Sequence, residues 1–159
     1  MLLNAFPTAR LVLVGDGPLR GDAERLAEQL GLADCVEFTG ITNDVAGQIA
    51  RFDVFVHAAH SEGLGLVLME AMAAEVPVVA SSVGGIPEIA EDRVTAFLFK
   101  RSDPRGLSEA VGVILQDAAL RRRIVAHARL AVKERFSMET MCRAYAAVYR
   151  EASRMREGR

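Results

Sequence analysis

The chain has 159 residues, of which 51% are hydrophobic and 25% charged, and this composition suits one globular domain with a buried core. No apolar run is long enough to span a membrane, and the first ten residues lack the basic segment of a signal peptide. The two cysteines, Cys35 and Cys142, have no metal-ligand spacing, so we expect reduced thiols in a cytoplasmic protein.

The net charge of −2 is distributed unevenly along the chain. Residues 1–100 contain 6 Lys/Arg and 14 Asp/Glu, a net charge of −8, whereas residues 101–159 contain 13 and 7, a net charge of +6. Solvated helix faces explain such a basic half, and contact with an anionic membrane surface or an acidic partner is the alternative. Aromatic residues are few and scattered, so we expect no nucleic-acid partner.

The first two thirds of the sequence alternate between apolar strand-like runs and helical patterns. Strands are predicted over 9–15, 35–38, 53–58, 76–81 and 95–99, and helices over 18–31, 43–52, 64–75 and 84–92. Three more helices are predicted over about 104–116, 117–135 and 137–156. Asn43 and Ser137 are the predicted N-caps of two of these helices.

Continuous apolar strands separated by helices predict a doubly wound parallel sheet that is covered on both faces, followed by a helical tail over 104–159. We expect a single Rossmann-like domain over residues 1–159. The opening "MLLNAFP" resembles the end of a helix, and a parallel sheet usually places a strand before such a helix. We therefore expect the chain to be truncated at its N-terminus.

Ligands of doubly wound sheets bind in the loops after the carboxyl ends of the strands. Those loops are "GDGP", "TGIT", "AAHSEGLG" and "SSVGGIPE", and three of the four contain closely spaced glycines. Gly15, Gly17 and Gly21 are similar to a dinucleotide fingerprint, and Glu37 lies about twenty residues on, where a ribose-binding acid is expected. These glycines fit either a phosphate-binding loop or a turn that only packs against its neighbours. An NAD-binding Rossmann domain is therefore an alternative function.

Other catalytic chemistries have little support in the sequence. His57, His60 and Glu62 lie close together, but no further ligand that would complete a metal site lies nearby, so no metal is expected. There is no G-x-S-x-G nucleophile elbow, and neither cysteine has a histidine near it. We therefore set hydrolase chemistry aside.

The stretch "HSEGLGLVLMEAMA", residues 60–73, carries two carboxylates around a glycine-rich helix start. Gly63 and Gly65 keep that start free of side chains, so a phosphate or a sugar could contact backbone N–H groups at the positive end of the helix. Glu62 precedes the helix and could reach a ligand hydroxyl. Glu70 is expected inside the helix among apolar residues, where ribose hydroxyls would satisfy its carboxylate. In the alternative interpretation, Glu62 is a helix-cap acid and Glu70 pairs with a basic side chain.

The segment "EGLGLVLMEAMA" resembles the signature of the family 4 glycosyltransferases, in which two glutamates are separated by seven residues. The segments "LVLVGDGP", "VEFTGIT", "DVFVH", "PVVASSVGGIPEI" and "DRVTAFLF" are similar to further family motifs and occur in the family's order. The resemblance covers about residues 2–150. It implies a GT-B fold of two Rossmann-like domains, of which this chain resembles the C-terminal, nucleotide-sugar-binding one.

The resemblance also implies a role for each matching residue. Glu62 is the expected catalytic residue and contacts hydroxyls of the transferred sugar. The other expected donor-binding residues are Ser61, Gly63, Leu64, Gly65 and Leu66 along the sugar and diphosphate, Glu70 at the ribose, Gly40, Ile41 and Thr42 at the nucleobase, and Gly15 and Gly17 in the same cleft. The implied reaction transfers a sugar from a nucleotide-diphospho-sugar to an acceptor hydroxyl with retention, and it needs no metal or other cofactor.

Several departures from the family pattern accompany the resemblance. The first strand and helix, with the Arg and Lys that grip the diphosphate, are largely missing, as is the acceptor-binding N-terminal domain. Ala58-Ala59 stand where the family has Pro-Ser, and Glu75, Arg93 and Ala96 stand where it has glycine. We expect these changes to alter local loop geometry.

The missing parts lead us to expect that this chain alone is an inactive fragment. A non-catalytic nucleotide-sugar-binding module of a two-chain enzyme is the alternative. The basic half favours a membrane-associated acceptor and a cytoplasmic position at the inner face of a membrane.

Overall fold

The protein is described by a computed structural model that covers residues 2–157. It forms two units, Met1–Phe52 and Asp53–Arg159. The first unit contains helix α1 (Leu2–Ala5), strand β1 (Leu11–Val14), helix α2 (Arg20–Gln29), a 3-10 turn (Ala33–Cys35), strand β2 (Val36–Gly40) and helix α3 (Val45–Ile49). β1 and β2 pair in parallel, and α2 supplies the crossover that a parallel pair requires.

The second unit contains a three-stranded parallel sheet in the order β3-β4-β5. Its elements are β3 (Phe55–His57), α4 (Leu66–Ala73), β4 (Val78–Ser81), α5 (Ile86–Ile89), β5 (Phe97–Phe99), α6 (Pro104–Gln116), α7 (Ala118–Arg135) and α8 (Met138–Glu157). Parallel strands flanked by helices confirm the predicted Rossmann-like α/β class and its helical C-terminal part. Four of the five strands are shorter than the apolar runs that predicted them, and β2 is one residue longer.

The core of the second unit surrounds the central strand β4, whose four residues are all buried. Leu68, Ala71 and Met72 on α4 are also fully buried, at the i, i+3 and i+4 spacing of one helix face. α4 packs against α7, and α6 packs against β4 and β5. The carboxyl ends of the strands, and the loops that follow them, are therefore held by elements that cannot shift independently.

β1 and β3 each have one edge without a strand partner among residues 2–157. Leu11 and Leu13 on β1 are 47% and 38% exposed. A missing first strand stays a prediction.

The helix caps agree only in part with the prediction. The prediction for Asn43 is wrong, because α3 begins at Val45 and the N-cap is Asp44, whose Oδ1 accepts the Gly47 N–H at 2.9 Å. The prediction for Ser137 is confirmed, because its Oγ accepts the Thr140 N–H at 3.2 Å. Both caps satisfy an N–H group that the first helical turn leaves free.

Two of the departures from the family's glycines lie where the backbone is left-handed. Glu75 has φ 62° and Arg93 has φ 59°, a region in which side-chain-bearing residues are strained by about 1–2 kcal/mol. The Arg93 N–H donates to the Ala96 carbonyl at 2.7 Å, and its guanidinium lies 5.5 Å from the centroid of the Phe97 ring. The turn is therefore kept in a left-handed conformation despite the side chain.

Replacing Arg93 tests this strain. We expect Arg93→Gly to be more stable than Arg93→Ala by about 0.5–1 kcal/mol, because relief of the left-handed strain exceeds the added entropy of the unfolded glycine. Both variants lose the contact with Phe97, so their difference isolates the backbone. Urea unfolding of the two variants measures it, and equal midpoints and slopes would show that the turn is unstrained.

Candidate functional site

The loops that follow β1 and β2 are joined by their backbones in the first unit. The Gly15 N–H donates to the Gly40 carbonyl at 2.9 Å, which fixes the ends of both strands. Gly17 is open on the side where a Cβ would stand, with no atom within 4 Å. Ile41 is 82% exposed, and the Thr42 Oγ1 accepts the Asp44 N–H at 3.0 Å. The structure therefore brings Gly15 and Gly40 together and leaves Ile41 free to meet a ligand.

Arg20 lies at the same edge of this unit, and the sequence analysis missed it. Its Nε donates to Glu24 at 2.7 Å, and its Nη2 donates to the Phe38 carbonyl at 3.3 Å near the end of β2. The hydrogen bond with Glu24 raises the pKa of Arg20, so this side chain stays cationic. The four-residue spacing of Asp16, Arg20 and Glu24 in the sequence was the only signal. The carboxylates of Asp16 and Glu24 already compensate the charge of Arg20. We therefore interpret Arg20 as a residue that stabilises the turn at Gly40.

The loop between β3 and α4 holds the Glu62 carboxylate with two donors. His57 Nε2 lies 2.9 Å from Glu62 Oε2, and the Gly63 N–H donates to Glu62 Oε1 at 2.9 Å. The hydrogen bond from His57 is the largest cause that lowers the pKa of Glu62, so this carboxylate is ionised near neutral pH. The sequence analysis considered His57 only as a metal ligand and missed this pair.

Helix α4 begins without a side-chain cap. Its N-cap is Gly65, which has φ 79° and offers no side-chain oxygen. Glu62 is not the N-cap residue, but besides His57 the backbone N–H groups of Gly63 and Gly65 both act on its carboxylate and lower its pKa, so the alternative of a helix-cap acid stays a prediction. By contrast, aspartates at the N-cap positions of α3, α6 and α7 accept hydrogen bonds from backbone N–H groups.

The side chains around that helix start leave the backbone accessible. Ser61 is exposed, and Leu64 and Leu66 are 46% and 63% exposed. Gly63 has no atom within 4 Å of the position where a Cβ would stand, so the fold itself does not require a glycine there. A glycine at this position leaves its backbone open to solvent.

The loop after β4 packs backbone against backbone on the loop after β3. The Gly85 N–H is shared between the carbonyls of Glu62, at 3.3 Å, and Gly63, at 3.1 Å. A Cβ on Gly84, whose φ is 52°, would overlap the Glu62 carbonyl oxygen. The pair Gly84-Gly85 therefore sets the position of the Glu62 loop. The double glycine in "SSVGGIPE" was the only signal of this contact in the sequence.

Glu70 differs from the expectation. Its side chain is exposed, because the buried face of α4 is formed by Leu68, Ala71 and Met72. The predicted burial among apolar residues is wrong, and the desolvation cost inferred from it does not apply. Among residues 2–157, Glu70 forms no ion pair, so the alternative pairing with a basic side chain is not seen either. Its carboxylate is available to a ligand.

A cavity of about 320 Å³ opens beside this loop, at the carboxyl ends of β3, β4 and β5. Ala58 and Ala59, which replace the family's Pro-Ser, form part of its wall, with Phe99 and Arg101. The buried Ser81 hydroxyl donates to the Ala59 carbonyl at 2.7 Å and ties this wall to β4. The loop that contains Ala58-Ala59 is therefore held by a side chain of the neighbouring strand β4.

Residues 2–157 contain no group of three or more His, Cys, Asp or Glu side chains placed to hold a metal ion. Within the same residues, no helix combines the length and the apolar character needed to cross a membrane.

The fold and these loops are shared with glycosyltransferases. Residues 1–131 match the model of the family described as "Glycosyl transferases group 1", and the chain belongs to this family. This match favours the glycosyltransferase interpretation over the nicotinamide-binding one.

Similar proteins are longer than this chain. N-acetyl-alpha-D-glucosaminyl L-malate synthase of Bacillus anthracis is 36% identical over 146 residues, which cover 92% of this chain and 38% of that protein. The lipopolysaccharide core biosynthesis glycosyltransferase LpsD of Rhizobium meliloti is 36% identical over 135 residues, 85% of this chain and 39% of that protein. The chain thus spans about two fifths of the length of these relatives.

Solved structures agree with the family. The C-terminal domain of the group 1 glycosyl transferase LpcC from Francisella tularensis has a TM-score of 0.79 and 26% identity, and the match covers 86% of this chain and 74% of that one. Anabaena HepE in complex with UDP has a TM-score of 0.85 and 27% identity, with 94% and 44% covered. The chain therefore has the fold of the C-terminal domain of a GT-B glycosyltransferase.

Two glycine variants test which loop positions the fold requires. We expect Gly84→Ala to lower the free energy of unfolding by about 1–3 kcal/mol, because the methyl group overlaps the Glu62 carbonyl in a left-handed backbone. Gly63→Ala is the matched control and should stay within about 0.5 kcal/mol of the parent, since its Cβ enters open space. Chemical denaturation of both variants measures this. Equal losses would contradict the contact between the two loops.

Proposed function

We propose that this chain is the donor-binding part of a family 4 glycosyltransferase, which transfers a sugar from a nucleotide-diphospho-sugar to an acceptor hydroxyl with retention. The observation that carries the proposal is the uncapped start of α4 beside the ionised carboxylate of Glu62. Glu62 would accept hydrogen bonds from hydroxyls of the transferred sugar. Glu70, exposed on the same helix, would bind the ribose hydroxyls.

The diphosphate is the part of the donor that fits the start of α4. The N-cap residue Gly65 offers no side-chain acceptor to the first N–H groups of the helix, and the helix dipole favours negative charge at this end. The segment Gly63–Leu66, in which Gly63, Leu64 and Leu66 are exposed and Gly65 is buried, would lie along the sugar and diphosphate with Ser61 beside it. Solved structures of the similar HepE contain UDP, UDP with glucose, and UDP-glucose, at 26–27% identity to this chain. These ligands support a nucleotide-sugar as the donor here.

The first unit would contribute the nucleobase contacts. The exposed Ile41 and the braced turn at Gly40 and Thr42 form a surface at the carboxyl end of β2 that suits a flat base. Gly15 and Gly17 would line the same part of the ligand. This assignment rests on the family resemblance together with the exposure of Ile41.

We further propose that the chain binds the donor without completing the reaction, and its charge supports this. Residues 1–100 carry a net charge of −8, and a diphosphate leaving group needs cations that stabilise its developing charge. In the proposed enzyme, those cations and the acceptor site come from the parts that the family places before this segment. The reaction would need no metal. The basic residues 101–159 would favour a membrane-associated acceptor at the cytoplasmic face.

Ligand titration followed by NMR tests the donor class. UDP, GDP, ADP and their sugars are added separately, and amide shifts are followed along the chain. We expect the amides of residues 62–70 to respond to one of the three nucleotide types. The amides at the start of α7, where Asp117 already caps the helix, serve as the control and should not respond. If no ligand shifts the amide resonances of residues 62–70, in this chain and in a full-length parent, the proposal is contradicted.

Substitution of Glu70 tests the ribose contact. In a full-length enzyme we expect Glu70→Ala to weaken nucleoside diphosphate binding by about 1.5–3 kcal/mol, because hydrogen bonds to a charged acceptor are lost. Glu109→Ala, which removes an exposed glutamate on α6, should leave the affinity unchanged. Calorimetry on both variants decides the matter. An unaltered affinity in Glu70→Ala would remove Glu70 from this role.

A further inference from the structure

The way in which the Glu62 carboxylate is held goes beyond the donor-binding role itself. His57 Nε2 lies 2.9 Å from Oε2, and the Gly63 N–H donates to Oε1 at 2.9 Å. Each carboxylate oxygen therefore has one protein donor and keeps further lone-pair capacity for a ligand hydroxyl. The carboxylate is oriented before any ligand arrives, which is the condition for a preorganised contact.

Both partners of this hydrogen bond are attached to rigid backbone. His57 is the last residue of β3 and stands opposite Ala80 in the ladder with the buried strand β4. Its ring stacks on Phe55, with 6.3 Å between ring centroids and 13° between the planes. On the other side, the Glu62 carbonyl accepts the Gly85 N–H. The pair is thus fixed by the sheet and by the loop after β4.

The two side chains are partly shielded from water, with 22% exposure for His57 and 26% for Glu62. A hydrogen bond in such a setting restricts the carboxylate more than a fully solvated ion pair would. His57 must carry a proton on Nε2 to donate, a requirement that both the Nε2–H tautomer and the imidazolium meet. Its ring touches the carboxylate and need not touch the sugar.

We propose that His57 is a positioning residue, which donates its Nε2–H to Glu62 and thereby fixes the carboxylate in the orientation that accepts hydroxyls of the donor sugar. The inference rests on the proposed role of Glu62 in donor binding. Since Glu62 would contact the sugar and not the nucleotide, His57 governs affinity for the sugar part alone. A residue that only stabilises the fold would instead affect binding of the sugar and of the nucleotide equally.

Three variants and two probes test this role. We expect His57→Leu to weaken binding of UDP-glucose about tenfold while binding of UDP stays within about twofold. His57→Gln should recover most of the loss, because its side-chain amide can also donate to Glu62. His127→Leu is the matched control, since His127 is an exposed histidine of α7 outside the site loops and should leave both affinities unchanged. Equal losses for UDP and UDP-glucose, or no recovery with glutamine, would overturn the proposal.

A second readout needs no ligand. The hydrogen bond from His57 lowers the pKa of Glu62, so NMR titration of the Glu62 carboxyl carbon should show a higher pKa in His57→Leu. In His57→Gln, the pKa should remain partly lowered. A Glu62 pKa unchanged by leucine would refute the positioning role. If the pKa responds as expected but the parent binds none of UDP, GDP, ADP and their sugars, the donor-binding function fails while the link between His57 and Glu62 stands.

Discussion

The geometry of the site depends on a contact between two backbones that leaves no space for a side chain. The Gly85 N–H reaches the carbonyls of Glu62 and Gly63, and Gly84 lies against the Glu62 carbonyl without room for a Cβ. This contact binds the loop after β3 to the loop after β4. Because neither loop can move alone, the Glu62 carboxylate and the start of α4 keep a fixed relation. A rigid scaffold of this kind is what gives a binding loop a defined shape.

The central strand β4 supports that contact from below. All four of its residues are buried, and it sets the register of His57 on one side and of β5 on the other. Its last residue, Ser81, donates to the Ala59 carbonyl and so reaches the loop that carries Glu62. The buried face of α4 and its packing on α7 hold the helix start in place. The exposed, polar residues of the site are therefore supported by the buried strand β4 and by the buried face of α4.

The differences between sequence and structure have particular physical causes. Glu70 was expected to be buried, since its neighbours along the chain are apolar, but it lies on the face of α4 opposite to Leu68 and Met72. A short helix that is apolar nearly all round gives a weak periodic signal, so its orientation cannot be predicted from the pattern. Asp44 caps α3 where Asn43 was predicted, because both residue types suit the position and helix starts are uncertain by one or two residues. Glu75 and Arg93 were expected to alter local loop geometry, and both lie in turns whose backbone is left-handed.

The amino-acid sequence by itself determined the order of strands and helices, the glycine-rich loops at the carboxyl ends of the strands, and the family. These features depend on patterns within a few residues, namely apolar periodicity and turn chemistry, and on motif order. Only the tertiary structure decided that His57 holds Glu62, that Gly84 and Gly85 clamp the same loop, and that Arg20 braces the end of β2. Those contacts depend on which loops the parallel crossovers bring together and on how each side chain is turned, and local patterns carry no information about either.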